Sequence, residues 1–195
     1  LRDENIVIIA AAQDSGGEAV AGEWYDNAKA SYVTLVDENH TVSNIFNLVN
    51  VPSAVWIDET GKVVRIDEGA YSKMYKTDDF EFGRDDYVPM IVDWVAKGAE
   101  SQYASGVALP ELTLSNDQAL AEANFKLGVY FKKSGNTDKA QKYWQAAQAL
   151  QTENWNYHRQ DWSFGSAEKA GANWLKKFQS LDGEPYYRPI TDLDN

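Results

Sequence analysis

Val49-Asn50-Val51-Pro52-Ser53-Ala54-Val55-Trp56-Ile57-Asp58-Glu59-Thr60-Gly61-Lys62-Val63-Val64 is the stretch on which the fold turns. Two apolar, β-rich runs, Ser53 to Ile57 and Lys62 to Ile66, flank Asp58-Glu59-Thr60-Gly61, a polar turn closed by glycine. The pattern predicts a β-hairpin. Just upstream, Val42, Ile45, Phe46 and Val49 fall at helical spacing, and Asn50 with Pro52 ends that helix.

Moving toward the N-terminus, Tyr32 to Val36 reads as a short strand ending in the acidic turn Asp37-Glu38-Asn39. Val20, Trp24 and Ala28, four apart, make one face of a helix. Ile6 to Ala12 is an unbroken apolar run of the kind buried on both faces of a sheet. On the other side, Gly69 to Asp86 reads as a polar loop dotted with aromatics. Val88, Ile91, Val92 and Val95 then form an amphipathic helix that stops at Gly98. Strand, helix, strand, helix, hairpin, helix is the order of an α/β sandwich with a parallel start and an antiparallel edge.

After Gly98 the composition changes. Residues 99–114, with Gly106 and Pro110, read as a linker. Beyond it the pattern is helical, opening on the capping-box pair Ser115 and Gln118. Leu120, Ala123, Leu127, Tyr130 and Phe131 line one helix face. Ala140, Tyr143, Trp144, Ala147 and Leu150 line a second, after the break at Gly135-Asn136. A third helix, from about Ser166 to Leu181, is expected to bury Ala170, Trp174, Leu175 and Phe178. Trp155 to Phe164 is aromatic-rich without a clear period, and Asp182 to Asn195, with Pro185 and Pro189, reads as irregular tail. The expected organisation is thus an α/β domain over 1–98, a linker over 99–114 and an all-α domain with its tail over 115–195.

Taken with the strand at Ile6, the run from Val49 to Val64 resembles the thioredoxin-like fold of TlpA/ResA-type redoxins and peroxiredoxins, a three-layer α/β sandwich. That family places a Val-Pro-Thr strand before a Gly-Lys-Val return strand; here Ser53 and Ala54 stand where Thr-Thr is common. The resemblance covers about residues 1–98 and implies that Ile6–Ala12 and Ser53–Ile57 lie side by side in one sheet. It implies a cis bond at Val51-Pro52 and a substrate loop of Val51, Pro52 and Ser53, in which Val51 offers its backbone to an extended peptide. It also implies a thiol–disulfide partner and an upstream Cys-x-x-Cys segment, which these residues do not supply. Leu127-Gly128, Phe131, Ala140, Trp144 and Ala147 likewise resemble one tetratricopeptide repeat, with Thr152 where the closing proline usually stands.

Composition bounds the chemistry. None of the 195 residues is cysteine, so the chain holds no thiolate, no disulfide and no cysteine-ligated zinc. A formal charge of −12 makes nucleic acid and anionic lipid poor partners, and no apolar run reaches the ~20 residues a membrane span needs. His40 and His158 are the only histidines and make no metal or catalytic constellation; His40 is expected at the surface. Asp78, Asp79, Glu81, Asp85 and Asp86 lack the glycine and terminal glutamate of an EF-hand and read as a solvated acidic loop. Neither catalytic residue, metal nor cofactor is therefore assigned. Trp155, Tyr157 and Trp162 are the candidate partner surface, against the plainer reading of helix packing.

Two functions stay open at this point. One is a thiol–disulfide oxidoreductase or redoxin whose reactive segment precedes Leu1, favoured by an opening, Leu1-Arg2-Asp3-Glu4-Asn5, that reads like the middle of something longer. The other is a redox-inactive thioredoxin-like scaffold whose helices hold a protein or peptide partner.

Overall fold

The computed structural model describes residues 5–76 and 81–194. It is a mixed α/β protein with a helical C-terminal region, and its residues gather into two compact units, each built from separated segments. Ile8–Val49 join Glu111–Glu184 in one unit. Asn50–Pro110 join the tail from Pro185 in the other.

In the first unit, β1 (Ile9–Ala12) and β2 (Val33–Val36) pair in parallel, with Ile9 opposite Val33 and Ala11 opposite Leu35. The helix α1 (Glu18–Ala28) makes the crossover, and the Tyr25 hydroxyl reaches the carbonyls of Ala10 and Leu35 at 2.9 and 3.0 Å. The short helix α2 (Thr41–Ile45) starts where Asp37 receives the N–H groups of Thr41 and Val42, at 2.7 and 2.8 Å. Four helices follow: α4 (Asn116–Lys133), α5 (Thr137–Leu150), α6 (Trp155–Ser163) and α7 (Ala167–Gln179). Each has a side-chain N-cap, from Ser115, Asn136, Asn154 and Ser166, and the Ser115–Gln118 capping box forms both of its bonds.

The core of this unit is Ala121, Phe125, Ala140, Trp144, Ala147 and Tyr157. That corrects the expected face of α4: Leu120, Leu127 and Tyr130 are exposed, and Ala121, Phe125 and Gly128 are buried instead. Gly128 is needed on that face because a Cβ there would run into the Trp144 indole of α5, while Phe125 fills the core against Tyr157. The aromatic stretch after Leu150 is the helix α6. A second correction concerns α7, which buries no residue fully; Trp174 is half-buried and stacks on the exposed Phe178 at 5.0 Å.

In the second unit, β3 (Ser53–Ile57) and β4 (Val63–Glu68) form the expected antiparallel hairpin, Val55 opposite Ile66, with an irregularity between Trp56 and Ile57. Asp58 closes the turn by accepting from the Thr60 and Lys62 N–H groups. Two further strands, β5 (Met74–Lys76) and β6 (Glu81–Gly83), pair where a loop is expected, and Tyr75 stacks on Phe82 at 5.2 Å. With α3 (Tyr87–Lys97) these frame a core of Trp56, Tyr87, Met90 and Ile190. The residues after Gly98 are anchored too: the Ser101 hydroxyl donates to Asp93 at 2.7 Å.

At the centre of this unit lies a charge. Arg65, 0% exposed, donates to Asp67 at 2.6 Å and to the carbonyls of Tyr103 and Thr191 at 3.0 and 2.6 Å; it also meets Asp192 at 3.2 Å. The Tyr87 hydroxyl donates to Asp67 and accepts from the Trp56 indole, both at 2.9 Å. Burial raises the Tyr87 phenol well above its usual range, so it stays a donor. Among the described residues the strands form three two-stranded sheets, with β1 and β3 in different ones rather than as neighbours in one sheet.

Candidate functional site

Around Val51 the backbone is closed by the chain itself. The Val51-Pro52 bond is cis. The Val51 N–H donates to the Asn50 side-chain oxygen at 2.9 Å, and the Tyr187 hydroxyl donates to the Val51 carbonyl at 3.1 Å. The buried Asn50 gives its amide N–H to the Tyr186 carbonyl at 3.1 Å, Ser53 Oγ donates to the Asn50 carbonyl at 2.7 Å, and the Pro52 carbonyl accepts from Gly69 at 2.8 Å. Tyr187 is held by the Tyr71 hydroxyl at 2.8 Å and lies on Gly69, where a Cβ would come within 2.9 Å of its ring. Val51, Pro52 and Ser53 are half-buried, and both main-chain polar groups of Val51 are spent.

A second polar cluster lies in the other unit. Ser15 Oγ and His40 Nε2 are 2.9 Å apart, and the Ser15 N–H donates to Gln160 at 2.7 Å. His40 is 2% exposed, which corrects the expectation of a solvated residue. It holds a left-handed backbone conformation (φ 56°) and packs on Phe125 at 4.8 Å. Burial pushes its pKa down to about 4, so the ring is neutral. A serine, a histidine and a nearby aspartate have the composition of a nucleophilic triad but not its geometry. Ser15 is 0% exposed, both Asp37 oxygens serve the N-terminus of α2, and His40 Nδ1 has no partner.

A concavity of about 580 Å³ lies among α4, α5, α6 and α7. Its apolar side is formed by Trp144 and Phe164, stacked at 5.3 Å, and by Trp162. The polar side is lysine-rich, as α7 contributes Lys169, Lys176 and Lys177 and α4 contributes Lys132. His158 tilts against Trp162 at 5.5 Å; its Nε2 is buried without a partner, and burial beside Lys177 lowers its pKa to about 4. Of the three aromatics read as a partner surface, only Trp162 lines this space. Trp155 and Tyr157 are each 4% exposed, Tyr157 stacking on Phe125 at 4.7 Å. The lysines lie outside the aromatic pattern; the signal for them in the sequence is the basic row at 169, 176 and 177, spaced to share one side of a helix.

No group of three or more His, Asp or Glu side chains among the described residues could hold a metal. Asp78 and Asp79 lie outside the described residues, Glu81 pairs with Lys76, and Asp86 pairs with Arg84 at 2.6 Å. No described helix is long and apolar enough to cross a membrane. No family model matches the chain, and no curated protein or solved structure matches it either.

Proposed function

We propose that the chain is a binding module: a thioredoxin-like α/β portion that performs no thiol chemistry, joined to tetratricopeptide-like helices that hold a polypeptide partner. One observation carries the reading. The Val51 N–H and carbonyl, which the resemblance would offer to an extended substrate, are occupied by Asn50 and Tyr187, whereas the concavity among α4–α7 is open. Strand addition needs free main-chain groups, and helix grooves need an apolar floor with polar walls. Only the second requirement is met. The close seat of Trp144 on Gly128 further supports the tetratricopeptide-like reading of α4 and α5. Panning a random peptide library against the whole chain tests the proposal, with amide shifts used to map the peptides recovered. Shifts confined to residues 132–180 would support it; shifts at Val51–Ser53, or no recovered peptide, would overturn it.

A redoxin whose thiols come from outside these residues is the second reading. It is favoured by the parallel pair β1–β2, whose residues Ile9, Val33 and Leu35 are 61%, 48% and 48% exposed, because parallel strands are usually covered on both faces. The gene sequence ahead of Leu1 decides it: a Cys-x-x-Cys pair there would favour the redoxin, and its absence would remove that reading.

A further inference from the structure

The charge of the groove is opposite to that of the chain. Overall there are 30 acidic and 18 basic side chains, yet among the described residues Asp161 is the one carboxylate lining the concavity, against Lys132, Lys169, Lys176 and Lys177. The lysines come from two helices. Lys169, Asn173, Lys176, Lys177 and Ser180 follow one another at helical spacing down one side of α7, and Lys132 stands at the end of α4. Among the described residues none of the four makes an ion pair, whereas Lys76, Lys97, Lys126 and Lys133 each hold a carboxylate. Lys132 sits over the Phe164 ring at 5.9 Å, and Lys177 lies over Trp155 while donating to the Thr152 carbonyl at 3.0 Å.

We propose that this groove docks an acidic segment of a partner protein, its carboxylates along the α7 lysine row and an apolar side chain against Trp162 and Phe164. The proposal rests on the binding-module reading and names the partner chemistry of that site. Charge complementarity selects the occupant, since an anionic segment would be repelled by most of this surface and drawn to this part of it. A row of ammonium groups along a helix suits carboxylates strung along a peptide. A phosphate site would favour convergent donors and the forked guanidinium of arginine, and among the described residues no arginine lines the groove.

Calorimetric titration of the whole chain with acetyl-Asp-Glu-Leu-Asp-Glu-Leu amide tests this, alongside its Asn/Gln counterpart and inorganic phosphate. The acidic peptide should bind at micromolar concentration in low salt and weaken as salt is raised, while the uncharged peptide and phosphate do not bind. Lys169→Gln with Lys176→Gln, both on the exposed side of α7, should weaken binding about tenfold. Lys139→Gln with Lys142→Gln, on α5 outside the groove, should leave it unchanged. Equal losses in both pairs, no binding of the acidic peptide, or binding of phosphate as tight as the peptide would each overturn the proposal. Should library peptides map to 132–180 but prove neutral or basic, the acidic partner falls while the binding module stands.

Discussion

Gly128 of α4 lies so close to Trp144 of α5 that a Cβ at position 128 would stand 2.3 Å from the indole Cδ1 and Nε1. The glycine is what lets the two helices meet. Gly128→Ala should therefore destabilise the chain, against helix propensity, which favours alanine by ~1 kcal/mol. Overpacking costs ~1–3 kcal/mol, and the clash falls on the buried Trp144 ring, so a net loss of ~1–2 kcal/mol is expected. A urea melt with a lower midpoint and an unchanged slope would establish it; a stabilised variant would mean that the indole can move aside.

Arg65 anchors the other unit. Arg65→Met removes one partner of a buried ion pair and strands Asp67 beside the Tyr87 hydroxyl. The expected cost is ~3–5 kcal/mol, much of it from the carboxylate left uncompensated. Adding Asp67→Asn should recover part of the loss, and equal melts for single and double variants would show that the pair is not coupled.

His40 makes stability depend on acid. Its pKa falls from 6.5 to about 4 on folding through burial, partly offset by Asp37 and reinforced by Lys126. The unfolded chain thus binds the proton first, and the contribution present above pH 6.5 is lost as pH falls toward 4. The lost contribution is at most ~3 kcal/mol. His158 acts in the same direction, its pKa also lowered to about 4. His40→Asn keeps a residue that tolerates the left-handed conformation. Unfolding free energies from pH 7 to 4 should show a shallower acid loss in the variant; parallel curves would sink the assignment.

Trp174→Ala should cost little, ~1 kcal/mol or less, because the indole is half-exposed and its stacking partner Phe178 is exposed as well. A loss above ~3 kcal/mol would mean that α7 packs far more deeply than its exposure indicates.

Patterns set by near neighbours were legible in the sequence. The hairpin at Asp58–Gly61, the Ser115 cap and the buried row Ala140, Trp144 and Ala147 all follow from spacings of a few residues. Misreadings arose where distance in sequence decides. Leucine content points to one face of α4, whereas the face that is buried carries Ala121, Phe125 and Gly128, with Gly128 against Trp144 of α5. His40 carries no local sign that Ser15 and Phe125 enclose it. The candidate groove was half visible: Trp162 stood out as an aromatic, while the lysines that set its charge fell among ordinary surface positions.

The tail is irregular, as its prolines suggest, yet it is not a loose end. Ile190 fills the core beside Trp56, and Thr191 with Asp192 completes the shell of Arg65, 126 and 127 positions earlier. During synthesis this guanidinium must therefore wait for its last partners. At ~5–20 residues per second the wait is roughly 6–25 s, an interval in which Trp56 and Met90 have no lid. A nascent chain stalled before Pro185 should accordingly engage holdases, and release of the remaining residues should let it go.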